Sequence, residues 1–108
     1  MSHDYAEQRT ETYETFAAME EGVVLPKRAI LYYQFYAEEI DCDWTGVESA
    51  LTALGFACER DEEEGLLVAA IGPIDVTPEA IWAEERRATE AVLGYEFVPD
   101  GWELVTGE

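Results

Sequence analysis

The run Ala29-Ile30-Leu31-Tyr32-Tyr33-Gln34-Phe35-Tyr36 decides the fold. It has no helical spacing, and its aromatic and branched residues favour a pleated backbone. Taken by twos, one face carries Ala29, Leu31, Tyr33 and Phe35; the other carries Ile30, Tyr32, Gln34 and Tyr36. Both faces are mostly apolar, which predicts a central strand covered on both sides, or nearly so. Its aromatics are read first as core, where such side chains dominate the energetics.

Working outward, a second run without alternation, Leu66 to Gly72, predicts another central strand. A short strand over Phe56–Arg60 precedes it. Asp61-Glu62-Glu63-Glu64-Gly65 between them reads as a hairpin turn, with Gly65 where positive φ is needed. Asp41 to Leu54 reads as a helix, capped by Asp41, Asp43 or Thr45, with Thr45-x-x-Glu48 in capping-box form. Trp44, Val47, Leu51 and Leu54 make its inner face; Gly55 ends it, and Phe56 folds back as in a Schellman stop. Thr77-Pro78-Glu79 opens a further helix, with a cap, Pro at the first position and an acid in the first turn. It runs to Leu93 with Ile81, Ala88, Ala91 and Val92 inward, interrupted by Glu84 or Glu85, and Gly94 stops it. Tyr95 to Val105 is a last strand, broken at Pro99-Asp100-Gly101.

At the front, Met1 to His3 should fray. Asp4 to Glu21 reads as a helix with a thin strip of Tyr5, Arg9, Tyr13 and Phe16, ended by Gly22. The apolar connector Val23-Val24-Leu25-Pro26 should lie against the body. The order is a helix, then βαββαβ: an α+β, ferredoxin-like sandwich. Its four-stranded antiparallel sheet takes the order 4-1-3-2, with both crossover helices on one face. The extra helix covers an edge or the open face. One domain is expected over residues 1–108, with the N-terminal helix in 1–22 and the body in 29–105. A chain of 108 residues can bury about 65% of its unfolded surface, enough for one core.

Charge narrows the function. There are 25 acidic residues against 6 basic ones, a formal net charge of −19. That argues against a nucleic-acid backbone as ligand, which needs a Lys/Arg footprint, and toward a basic partner or a solvated acidic coat. The N-terminus has no apolar signal region and no run approaches a membrane span, so a soluble cytoplasmic protein is expected. Cys42 and Cys58 are too few for a disulfide framework or a zinc site, and reduced thiols are the default.

Catalysis finds little support. The single histidine, His3, lies in the tail, where no fixed geometry is expected. Cys58 lies two residues from Arg60, and Cys42 between Asp41 and Asp43. There is no glycine-rich phosphate loop. Glu84 or Glu85 is the one carboxylate expected to point inward, and it reads as a paired or rim residue rather than an acid catalyst. Asp61 to Glu64 lacks calcium-loop spacing. No enzyme activity, cofactor or metal is expected. Trp102, after the Asp100-Gly101 turn, is either a core residue or an exposed contact.

Several features occur in order along the chain. They are Glu7-Gln8-Arg9-Thr10-Glu11-Thr12, Gly22 with Pro26, Leu54-Gly55-Phe56, and Tyr95-x-x-x-x-Asp100-Gly101-Trp102. Together they resemble the regulator of ribonuclease activity B family, small acidic bacterial inhibitors of ribonuclease E. The resemblance implies a ferredoxin-like sandwich with an added N-terminal helix and no enzyme activity. It also implies binding to ribonuclease E through that enzyme's non-catalytic C-terminal region. Gln34 and Phe35 stand near positions where familiar members carry histidines. The partner-binding candidates are Tyr95, Asp100, Gly101 and Trp102 for shape, and Glu62, Glu63 and Glu64 for charge. Two alternatives stay open. One is a small-molecule module with a pocket near Tyr33 and Gln34; the other is a domain that dimerises through an open sheet face.

Overall fold

A computed structural model describes residues 3–39 and 41–105. Three helices and four strands follow in the order α1 (Tyr5–Gly22), β1 (Arg28–Ala37), α2 (Trp44–Ala53), β2 (Ala57–Asp61), β3 (Leu66–Asp75), α3 (Pro78–Leu93) and β4 (Phe97–Val105). The strands form one antiparallel sheet ordered β2-β3-β1-β4, which from the opposite edge runs β4-β1-β3-β2. The arrangement is α+β and compatible with a ferredoxin-like sandwich.

β1 is central, but only one of its faces is covered. Ala29, Leu31, Tyr33 and Phe35 are buried against the helices, whereas Tyr36 on the other face is 46% exposed. The physical reason lies in the crossovers: connections of one hand put α2 and α3 on the same side, and α1 packs on α3 rather than on the free face. The core is therefore a single layer. Leu31, Tyr33 and Phe35 of β1, with Leu67 and Ala69 of β3, meet Val47 and Leu51 of α2 and Ile81, Ala88 and Val92 of α3. Each large side chain buried there contributes about 1.5–3 kcal/mol. Ala69 and Ala88 are fully buried and small, so α3 can sit close to the sheet. Tyr33 donates its hydroxyl to the Ile81 carbonyl at 2.8 Å, which satisfies the one polar atom β1 sends inward.

Local chemistry sets the helix ends. Asp43, of the three candidates, caps α2 by accepting from the Gly46 N–H at 2.9 Å. The Thr45–Glu48 box does not form, because Thr45 already lies inside the helix; Glu48 pairs with Arg60. The C-terminus is a Schellman stop: Phe56 N–H reaches the Leu51 carbonyl, Gly55 N–H reaches that of Thr52, and Gly55 has φ 100°. Thr77 caps α3 through the Ala80 N–H at 3.1 Å. Arg87 of α3 donates to the Leu54 carbonyl at 2.8 Å, so α3 also helps to close α2.

Three sequence expectations change. The inward line of α1 is Gln8, Thr12 and Phe16, not the Tyr5–Arg9–Tyr13 strip. Arg9 instead lies over the Tyr13 ring on the outer side, 4.4 Å from its centroid. The connector does not lie flat on the body: Val24 is 99% exposed and Val23 59%, and only Leu25 joins the core rim. The last strand begins at Phe97 and runs through Pro99-Asp100-Gly101 without stopping. Asp100 is an extra residue in a bulge, since Pro99 pairs with Phe35 and Gly101 with Gln34.

Gly72 is where backbones approach most closely. Its φ is 138°, and a methyl group there would stand 2.9 Å from the Ala29 carbonyl oxygen and 3.0 Å from Ile30 Cα. We expect Gly72→Ala to destabilise by about 1–3 kcal/mol, read as a lower urea midpoint with unchanged slope.

Candidate functional site

A hollow of about 620 Å³ lies between the N-terminal half of α1, the middle of α3 and the bulged part of β4. The sequence assembles it simply. Asp4 starts α1 by accepting from the Glu7 N–H, so Glu7 and Glu11 follow one turn apart along the rim. Trp102 stands opposite Tyr33, and so on the helix side of the sheet, where it forms a wall beneath α1. Its indole N–H donates to the Thr12 hydroxyl at 3.4 Å, meeting the need for a partner that a half-buried tryptophan has. Trp102 is thus half-buried, packed on the core rim and lining the hollow.

At the floor sits Glu85, only 5% exposed. Its carboxylate accepts from the Thr12 hydroxyl on one oxygen and from Gln8 Nε2, at 3.0 Å, on the other. Gln8 Nε2 also donates to Thr89 Oγ1 at 3.0 Å, and Gln8 Oε1 lies 2.6 Å from His3 Nε2. Burial pushes the Glu85 carboxyl above its ordinary range; the hydrogen bonds from Thr12 and Gln8 pull it back, Glu11 adds to the rise and His3 opposes it. The expectation of a paired carboxylate is corrected in kind: the partners are neutral donors, not a cation. His3 is also placed by contact, against Gln8 and edge-on to the Tyr5 ring, rather than fraying; Met1 and Ser2 lie outside the described residues. Gln8 and Thr12 were missed as site residues. The available signal was their four-residue spacing with Phe16, which an apolar search passes over.

Asp100, Gly101 and Trp102 come together in this hollow, but the other candidates do not join them. Tyr95 sits in the turn before β4, half-buried on the core rim and close to Gly46. Glu62, Glu63 and Glu64 are exposed in the β2–β3 turn, at the far edge of the sheet from β4. Glu62 is held by Arg60 at 3.0 Å, and the Glu64 N–H donates to Asp61 at 3.2 Å. Tyr33 and Gln34 lie on opposite faces of β1, so the two side chains do not converge on one side of the sheet. Cys42 and Cys58 are free and half-buried. Burial and the Glu48 carboxylate push the Cys58 thiol up, with a Thr52 hydrogen bond opposing. Arg60 is occupied by Glu48 and Glu62 instead of activating that thiol. Among the described residues, no group of three His, Cys, Asp or Glu is arranged to hold a metal ion, and no helix is long and apolar enough to cross a membrane.

Chemically, the hollow is an anionic surface with an aromatic wall and a neutral-bonded carboxylate beneath it. It can attract cationic groups. Both Glu85 oxygens are committed to α1, so this carboxylate serves as a bracket between α1 and α3. The chain matches no protein-family model and no curated protein.

Proposed function

We propose that this chain is a non-enzymatic regulatory protein that acts by binding a basic segment of another protein. On the resemblance stated above, ribonuclease E or its RNA-degrading assembly is the first partner to test, with inhibition or modulation of RNA cleavage in the cytoplasm as the outcome. The body is read as a ferredoxin-like sandwich with an added N-terminal helix.

One observation carries the reading. Arg28, Arg60, Arg86 and Arg87 all engage carboxylates of this same chain: Asp75, Glu48 and Glu62, Glu90, and Glu84. With 25 acidic residues and 6 basic ones, most carboxylates remain without a cation. Such a surface speeds encounter with a cationic partner and repels nucleic acid.

The test is titration of the whole chain against ribonuclease E, with RNA cleavage followed in parallel. Affinity should fall by about tenfold or more between low and physiological salt as surface charges are screened. Cleavage should slow as the chain is added. Binding indifferent to salt would remove the electrostatic basis, and absence of binding would remove ribonuclease E.

A further inference from the structure

The sheet face turned away from the helices differs in kind from the hollow. Tyr32 and Tyr36 of β1 lie beside Leu66 and Val68 of β3 and Val98 of β4, and register puts them all on one surface. None of these five belongs to the core or to the residues packed against it. Ile30 and Val105 extend the strip at one end, and Val105 is 42% exposed. Carboxylates border it on both edges: Glu59 and Asp61 from β2, and Glu103 from β4 across from Tyr32. A second hollow of about 420 Å³ opens at one corner, between Glu59, Arg60, Asp61, Leu66 and Val68.

We infer that this face, and neither the hairpin tip nor the Asp100–Trp102 bulge, is the docking surface for a protein segment whose lysines or arginines flank apolar side chains. The inference rests on the basic-partner reading and deepens it by naming the surface. Three arguments select this occupant. First, the charges at the border are acidic, and the nearby cations are engaged: Arg28 by Asp75 and the Pro73 carbonyl, Arg60 by Glu48 and Glu62. An apolar centre with basic flanks is the complement of that pattern. Second, size favours a segment over a subunit. Four strands about 4.8 Å apart and six residues at about 3.3 Å each give a face of on the order of 300–400 Å². A stable protein interface takes about 800 Å² from each partner. Third, a second copy would set acidic borders against each other between two chains of net charge −19. RNA is disfavoured on the same ground: tyrosines on an open sheet can stack bases, but the phosphates would face Glu59, Asp61 and Glu103.

The test uses the whole ¹⁵N-labelled chain and two probes, ribonuclease E and a synthetic peptide alternating lysine with leucine and phenylalanine. The expected result is amide shifts centred on Tyr32, Gln34 and Val68. Tyr32→Lys and Val68→Lys should each weaken binding by about tenfold or more, with unchanged circular dichroism. Glu59→Lys should weaken it and raise its salt tolerance. Shifts confined to Glu62–Glu64 or Asp100–Trp102 with ribonuclease E would overturn this surface and leave the partner standing. If ribonuclease E does not bind, the peptide decides: shifts on the face support the surface, and none there overturns it. An RNA oligonucleotide that perturbs Tyr32 and Val68, or a dimer lost on Tyr32→Lys, would also overturn it.

Discussion

Phe35→Ala is expected to lower unfolding stability by about 3–5 kcal/mol, against a total of about 5–15 kcal/mol for a domain of this size. Phe35 is 1% exposed and sits mid-strand in the single covered layer, among Leu31, Tyr33 and Phe97. Truncation removes apolar contact and leaves a cavity that β1, paired on both sides, cannot close by shifting. Urea unfolding followed by tryptophan fluorescence reads the change. The control is the adjacent Gln34→Ala, whose side chain points to the open face; it should move stability by no more than about 0.5 kcal/mol. Equal effects at the two positions would mean that the covered face has been misassigned.

The second large effect concerns Glu85. Glu85→Ala strips the acceptors from Thr12 and from Gln8, and should cost about 2–4 kcal/mol as α1 loosens from α3. Glu85→Gln keeps an acceptor and the shape while removing a buried charge, so it should be close to neutral or stabilising. Acidity gives the sharper measurement. The folded carboxyl titrates above its unfolded value because of burial, so the native state holds that proton more tightly. The stability linked to it is fully present below the unfolded pKa and is lost as pH rises through the folded pKa. The Gln variant, neutral throughout, escapes that loss. Its advantage over the parent chain should therefore be seen near neutral pH and shrink as pH falls below about 4, toward conditions where Glu85 is protonated in both states. Comparing the two proteins at each pH cancels the common effect of the other carboxylates. A difference independent of pH would mean that Glu85 is not buried as described.

How much of this could be read from residues alone depends on which interactions are local. β1, β3 and the β2–β3 hairpin were legible because continuous apolar runs of branched and aromatic residues, bounded by Gly65 and by Pro26, have few other solutions. Helix ends were legible where the cap lies within three residues, as at Asp43 and Thr77. Coverage of both faces of β1 was overestimated, because an apolar outer face looks the same in sequence whether it is core or contact surface. The inward side of α1 was misread for a different reason. Gln8 and Thr12 turn inward only because Glu85 and Thr89 wait for them, 77 and 81 residues from Gln8. No window along the helix contains that information. The hollow followed suit: Asp100, Gly101 and Trp102 stand out in the sequence, but their neighbours across the hollow on α1 and α3 do not.

The bulge in β4 bears on behaviour at high concentration. An outermost strand offers unsatisfied amides and carbonyls to any neighbouring chain, and is the usual template for fibril growth. Here Pro99 lacks an amide hydrogen, Asp100 is squeezed out of register, and Gly101 turns with φ 132°. An approaching ribbon would meet a bent, negatively charged border and find no straight ladder to extend. This molecule should stay dispersed in crowded solution by virtue of its shape as well as its charge.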